Sequence, residues 1–163
     1  MIKIRKASLK DLEIIMEIWE EFNRTHKEKL LKKNSRYEEF FTMKSNAFDM
    51  VREYVKQLIK SKKSIIHLVE DKGTVIAYNN LEIKKGIPIY KNEEFGYISD
   101  LFVKKEYRGE KISSKLYLEA QKWFKKKGIK YITIGVNPEN EKALLLYKHW
   151  GFFDFRIEMR NKI

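Results

Sequence analysis

Apolar residues along this chain of 163 recur at two spacings, and each change of spacing marks a change of element. Alternation over residues 2–5 predicts a first strand. Leu9, Leu12, Met16 and Trp19 then share one face of a first helix ending near residue 26, opened by Ser8 as N-cap with Asp11 three residues on as its acidic partner. Residues 27–42 mix polar with aromatic positions (Tyr37, Phe40, Phe41), and the pattern assigns them no element. From Ser45 the helical spacing returns: Phe48, Val51, Val55 and Leu58 predict a second helix ending near Lys60. Residues 64–69 and 74–83 read as two strands joined by the tight turn Asp71-Lys72-Gly73, and residues 84–94, with Gly86 and Pro88, as a loop.

The most informative stretch is 97–123. Ile98, Leu101 and Val103 predict a strand, Ile112, Leu116, Ala120 and Trp123 a helix, and Tyr107-Arg108-Gly109-Glu110-Lys111 lies between them. A strand feeding a glycine-containing turn straight into a helix start aims unpaired N–H groups and the positive end of the helix dipole at one point, a place for phosphate. Lys127-Gly128 then stops the helix. Residues 131–136 form a nearly all-apolar run, as a strand buried on both faces requires. Asn137-Pro138 turns the chain into a last helix over 139–149, and Gly151 reverses it into a final strand over 152–159. Strand-helix-strand order late in the chain predicts a right-handed crossover and a parallel pair, so the whole is an α/β sheet domain with its ligand at the strand ends.

Composition narrows the chemistry. There is no cysteine, which excludes disulfides, thiolate nucleophiles and sulfur-ligated zinc and fits a reducing cytosol. The first 16 residues hold no uninterrupted apolar run of signal-peptide or membrane-span length, so a soluble, cytoplasmic protein without a membrane partner is expected. His26, His67 and His149 lie far apart without ligand spacing, and no metal site is expected. The net charge of +12 could serve nucleic acid, an anionic membrane surface or an acidic ligand. The lysines, however, are scattered among glutamates as on solvated faces, with only residues 122–130 approaching a cluster. They carry no aromatic-interleaved basic motif, which argues against nucleic acid.

A second motif decides the reading. Asn140, Ala143, Tyr147 and Gly151 follow one another at intervals of three, four and four, so the first three share a face of the last helix and the glycine ends it. Together the two stretches resemble the GNAT superfamily of N-acetyltransferases, whose pattern is a strand ending in Val, then Pro-Glu-Tyr-Arg-Gly-x-Gly-x-Gly and a helix, and later Asn-x-x-Ala-x-x-x-Tyr-x-x-x-Gly-Phe. Residues 103–113 match the first and residues 140–152 the second without a break. Lys111 and Ser113 stand where the family has two further glycines.

The resemblance implies one domain over residues 1–163, a mixed sheet of about six to seven strands flanked by about four helices. It implies acetyl-CoA as co-substrate and a primary amine of a small molecule, peptide N-terminus or lysine as acceptor, and it leaves a homodimer open. Leu101, Phe102 and Val103 would pair with the pantetheine arm as an added strand. Arg108, Gly109, Glu110, Lys111, Ile112, Ser113 and Ser114 would hold the pyrophosphate, and Asn140 would touch the cofactor arm. Tyr147 would also contact the cofactor, donating a hydrogen bond or a proton to the leaving thiolate as general acid. For the base, many relatives place a carboxylate at the position of Ser99. Asp100 is adjacent, but simple alternation turns it to the opposite face unless a bulge alters the count, and Glu82 on the preceding strand is a further candidate. Acceptor choice would fall to residues 23–48 and 84–94, where Tyr37, Phe40, Phe41 and Phe48 either line a pocket or cap the core. The departures at Lys111, Ser113 and Ser99 leave an alternative, a GNAT-like module that binds CoA and has lost its chemistry.

Overall fold

Alternating β-branched and aromatic residues form strands where they can both pair and bury a face, and five segments of this chain meet both conditions. The computed structural model describes residues 2–163. The strands β1 (Lys3–Lys6), β2 (Ser64–Asp71), β3 (Thr74–Lys85), β4 (Glu94–Val103) and β5 (Ile132–Ile134) lie side by side in that order. The first four are antiparallel, and β5 joins β4 in parallel, as the intervening helix crossover demands. The helices are α1 (Leu12–Lys33), the single turn α2 (Glu38–Phe41), α3 (Ala47–Lys60), α4 (Ile112–Lys126) and α5 (Glu141–His149).

Two helical layers cover the sheet. Against one face, Ile15 and Ile18 of α1 and Val55 and Leu58 of α3 pack on Ile66, Leu68, Tyr78 and Phe102. Against the other, Ile112, Leu116, Ala120 and Phe124 of α4 pack on Val69, Ile76, Leu81 and Ile98. Each such buried side chain contributes roughly 1.5–3 kcal/mol. The contact between α4 and β4 is so close that a Cβ on Gly96 would sit 2.7 Å from the Phe124 ring. At the N-terminus, Arg5 donates to Glu70 (2.8 Å) and to both oxygens of Asp11 (2.6 and 2.9 Å), while the Ser8 N–H donates to Asp11 at 2.7 Å. The Arg5 guanidinium holds the Asp11 carboxyl down at about 2, so the expected acidic cap is in place.

Several expectations need correction. The first helix continues past residue 26 to Lys33, because Leu30 is buried on the same side and the intervening Lys27, Glu28 and Lys29 are good helix formers. The stretch 27–42 therefore holds the last turns of α1, a 3₁₀ turn over Ser35–Tyr37 capped by the Asn34 side chain, and α2, which makes five helices. The loop before β4 shrinks to residues 86–93, closed by a Gly86 N–H to Glu93 carbonyl bond of 2.8 Å. The run 131–136 is not buried on both faces: only Ile132–Ile134 pair, with side chains half-buried, since β5 is an edge strand. The final strand over 152–159 does not form, and the sheet has five strands instead of six or seven. Phe153, Phe155, Ile157 and Met159 do alternate, yet all are exposed, and a strand exists only where a neighbour takes up its N–H and C=O groups.

Candidate active site

The site begins with the mismatch in length between β4 and β5. β5 pairs only with residues 96–98 of β4 and then ends, because Gly135 to Pro138 turn the chain away. Beyond Ile98, β4 runs on to Val103 with β3 on one side and no strand on the other. The backbone of Leu101, Phe102 and Val103 thus keeps a free edge along a groove of about 450 Å³ between α1, α4 and α5. Such an edge accepts an extended partner rich in amides as one more strand.

At the mouth of the groove the turn into α4 is held open by two left-handed residues, Gly109 (φ +93°) and Lys111 (φ +58°). Nothing lies within 4 Å of a Cβ built on Gly109, so glycine is needed there for its φ and not for space. Lys111 adopts the conformation a glycine would take, as the N-cap of α4, at a cost of roughly 1–2 kcal/mol. The backbone therefore keeps the glycine-type path despite the side chain. The first N–H groups of α4 have no acceptor within the helix and open on the groove at Ile112 and Ser113. Arg108 donates from Nε to the Val103 carbonyl (2.9 Å), which pins its guanidinium at the strand end.

Four cations line this groove, Lys29 of α1, Arg108 and Lys111 of the turn into α4, and Lys142 of α5, and no carboxylate does. Burial lowers the pKa of Lys29, and the charges of Arg108 and Lys142 lower it further. Mutually repelling cations at a helix N-terminus fit a polyanion such as a pyrophosphate with further phosphate.

Across the groove, Asn140 opens α5 by accepting the N–H groups of Ala143 and Leu144 on its carbonyl (both 3.0 Å). Asn140, Ala143 and Tyr147 all face the groove. The Tyr147 ring is held by Trp150 (5.6 Å between centroids) and Phe152 (6.1 Å), with Trp150 stacked in turn on Tyr117 at 4.5 Å. Burial pushes its phenol up to about 12, so it stays protonated at neutral pH. The roof comes from α1, where Phe22, Thr25, His26 and Lys29 form one helical face. His26 lies against Phe22 and Phe41, and its Nε2 meets the Asn137 amide at 3.1 Å. Tyr37 donates to Glu139 (2.5 Å) and Lys33 pairs with Glu141 (3.4 Å), tying α1 and the following turn to the start of α5.

On the sheet face under α3 a β-bulge settles where the acids point. Asn80 pairs with Asp100 but Leu81 pairs with Ile98, leaving Ser99 as the extra residue. Ile98 and Leu101 both pack on the α4 side although three apart, so Ser99 and Asp100 together face α3. Simple alternation, which separated them, is overturned. Glu82 accepts from Ser99 Oγ (2.5 Å) and the Tyr54 hydroxyl (2.8 Å), with Lys84 Nζ at 3.6 Å. Burial lifts the Asp100 carboxyl to about 6. Asn80 and Tyr78 oppose that rise, and the charge of Glu82 adds to it. Beside it, the phenol oxygen of Tyr78 and the amide oxygen of Asn80 are buried with no hydrogen-bond partner.

A proton acceptor beside an open strand edge, a protonated phenol across from it and a cationic cradle at its end together suit acyl transfer from a phosphate-bearing carrier. The Acetyltransferase (GNAT) family model matches residues 15–152. The chain belongs to this family. Among solved structures, a tetramutant of the Bacillus halodurans protein BH1408 superposes with a TM-score of 0.80 at 20% identity, over 99% of both chains. A predicted acetyltransferase from Clostridium acetobutylicum, solved with acetyl-CoA, has a TM-score of 0.75 at 18% identity over 99% of this chain and 96% of that one. The aminoglycoside 6'-N-acetyltransferase AAC(6')-IG from Acinetobacter haemolyticus has 0.72 at 15%, over 99% of both. At these identities the likeness is one of fold. No curated protein sequence matches.

Of the residues expected in this GNAT site, Leu101, Phe102, Val103, Arg108, Gly109, Lys111, Ile112, Ser113, Asn140 and Tyr147 line the groove, whereas Glu110 and Ser114 do not. Ser99 and Asp100 lie on β4 just beyond it. The sequence reading missed Phe22, Lys142 and Leu146, and held Thr25, His26 and Lys29 only within the acceptor range 23–48. The repeat of Phe22 with His26 and Thr25 with Lys29, four residues apart, was the available signal for the four on α1. Among the expected pocket aromatics, Phe41 reaches His26 at the groove, while Phe48 packs edge-on against Trp19 (5.8 Å) and Phe40 is exposed.

Proposed function

We propose that this protein is an N-acetyltransferase that moves an acetyl group from acetyl-CoA directly to a primary amine. The observation that carries the reading is the free edge of Leu101 to Val103 beside the cationic turn at Arg108 to Ser113. The acetyl-CoA in the Clostridium acetobutylicum structure and the aminoglycoside named for the Acinetobacter haemolyticus enzyme support it. Acetyl-CoA supplies an activated thioester. Arg108, Lys111, Lys29 and Lys142 bind its phosphates, and the β4 edge orients its pantetheine arm. N–H groups of that edge stabilise the charge developing on the thioester oxygen, worth ~3 kcal/mol per donor.

The amine must be neutral to attack, which costs about 4 to 5 kcal/mol at pH 7 for an alkyl amine of pKa ~10.4. Asp100, whose carboxyl titrates at about 6, is mostly ionised at that pH and is basic enough to take the proton. Glu82 and Ser99 act as positioning residues that fix the charge beside it. As the new C–N bond forms and the C–S bond breaks, Tyr147 donates its phenol proton to the departing sulfur. Among the described residues no helix is long and apolar enough to cross a membrane.

The test is acetyl-CoA-dependent thiol release over a panel of amines and peptides. Tyr147→Phe is expected to lower kcat roughly a hundredfold while leaving acetyl-CoA affinity unchanged. A protein that binds no acetyl-CoA refutes the reading, and calorimetric binding without turnover on any amine selects the non-catalytic alternative.

A further inference from the structure

The end of the sheet opposite the groove carries an unbalanced positive charge around an apolar tip. There the Ile83 N–H donates to the Lys63 carbonyl (2.7 Å), Lys85 pairs with Glu94 in the ladder, and the Gly96 N–H donates to the Tyr131 carbonyl (2.9 Å). These contacts gather three segments far apart in sequence: the chain after α3, the loop between β3 and β4, and the chain between α4 and β5. Residues 60–63, 84–91 and 125–130 hold three, three and four lysines and no acid. Apart from Glu93, the carboxylates nearby are engaged, Glu94 with Lys63 (2.5 Å), Glu82 with Lys84 (3.6 Å) and Glu119 with Lys122 (2.7 Å). Among the described residues Lys62, Lys85, Lys91, Lys125, Lys126 and Lys130 make no ion pair.

Between these lysines the loop projects Ile87-Pro88-Ile89-Tyr90, with Ile87 and Tyr90 61% exposed and Ile89 81%. Tyr131, on the other side of β4, is also exposed. The tip is a built turn. Its neck is closed by the Gly86 N–H donating to the Glu93 carbonyl (2.8 Å), and a Cβ on Gly86 would collide with the Asn92 carbonyl. The Tyr90 N–H donates to the Ile87 carbonyl (3.0 Å), with Pro88 at the second position of this turn, where its fixed φ belongs. The backbone thus holds both isoleucines outward instead of letting them fold back on the sheet. An apolar tip ringed by cations marks an interaction surface.

We propose that this end of the molecule docks on an anionic lipid membrane, its lysines against the headgroups and the Ile87–Tyr90 tip in the boundary between headgroups and acyl chains. The lysines alone would suit any polyanion, and the tip selects among them. Nucleic acid bases stack on aromatic rings and gain little from isoleucine or proline. A bilayer boundary takes up aliphatic side chains with a tyrosine at the polar level, and anionic headgroups complement the surrounding charge. The expectation of no membrane partner rests on the length of a spanning segment, and a surface that lies on the bilayer needs none. The open edge at Leu101 begins five residues beyond Gly96 on β4, about 17 Å away. A docked molecule therefore keeps its groove turned to solution, and Lys29, Lys111 and Lys142 take no part in docking.

The test is co-sedimentation of the full chain with vesicles of phosphatidylcholine alone and of phosphatidylcholine and phosphatidylglycerol in equal parts. Binding to the anionic vesicles alone is expected, and it should weaken as salt is added. Each lysine near the surface contributes roughly fivefold, so K125E/K126E should lower the partition about 25-fold or more and flatten its salt dependence. Ile89→Ser should lower it roughly tenfold with the salt dependence unchanged, and its Tm should equal that of the parent because the side chain is exposed. The chain has no cysteine, so a polarity-sensitive dye on Ile89→Cys reports insertion directly. Its emission should shift to the blue on adding anionic vesicles, whereas the same dye on Glu38→Cys of α2, at the groove end, should not respond. Equal binding to both kinds of vesicle, binding to neither, an unmoved dye at position 89, or a partition indifferent to Ile89→Ser or to K125E/K126E overturns the proposal. So does tighter retention on single-stranded RNA or duplex DNA than on the anionic vesicles, which would assign the lysines to a nucleic acid.

Discussion

The Asp100 carboxylate should cost the protein stability and give it activity, and the replacement Asp100→Asn separates the two. In the folded chain burial raises this carboxyl from an ordinary 3.8 to about 6. Between those values the folded state holds a proton that the unfolded state has released, so stability falls as pH rises through the window and is level above it. The shift corresponds to about 3 kcal/mol at pH 7, and at pH 5 to only about half of that. Asparagine keeps the shape, removes the charge, and offers an amide N–H to the neighbouring Asn80 oxygen that lacks a partner. Urea unfolding followed by circular dichroism at pH 5 and pH 7 measures the difference. With a typical slope of about 2 kcal/mol per molar, the variant midpoint should lie up to about 1.5 M higher at pH 7 and move closer to the parent at pH 5. In the thioester assay the parent should show an inflection in kcat/KM near pH 6 that the variant lacks. The acceptor ammonium titrates far higher and contributes the same slope to both. A variant no more stable than the parent at pH 7, or an advantage that does not shrink on acidification, refutes a buried, ionised Asp100.

Further tests address the cradle. Lys111→Gly relieves a left-handed lysine, and after the extra chain entropy of glycine it should gain about 0.5–1 kcal/mol, or about 2–3 °C in Tm. An unchanged or lower Tm in calorimetry would show that the lysine side chain has stabilising contacts of its own. Lys142→Ala should weaken acetyl-CoA binding about two- to fivefold, with a shallower dependence of Kd on salt. Identical salt slopes in parent and variant would remove this lysine from the cofactor site.

Local patterns carried most of the fold because the forces that set them are local. The apolar runs of β2 and β3 with the glycine turn between them, the helical stripe of α3, the acidic cap at Asp11 and the glycine stops at Gly128 and Gly151 each depend on neighbours within a few positions. The turn at Arg108 and the groove-facing trio Asn140, Ala143 and Tyr147 were legible for the same reason: spacing along one helix or one turn is a property of the sequence. The long first helix was not, since charged residues after position 26 say nothing of Leu30 being drawn into the core.

What the tertiary structure alone decided is which separated residues meet. Lys29, Arg108, Lys111 and Lys142 are scattered among the 35 basic residues of the sequence, and only the packing of α1 and α5 over the α4 turn makes them one cationic cradle. The bulge at Ser99 is a misfit between β3 and β4, invisible in either strand alone, yet it turns Asp100 toward Tyr78 and Asn80 and gives Glu82 a hydroxyl from Ser99. The segment after Gly151 shows the limit from the other side. Its alternation is as good as that of any strand in the chain, but hydrogen bonds across a ladder belong to two segments at once, and none of the five strands pairs with this one.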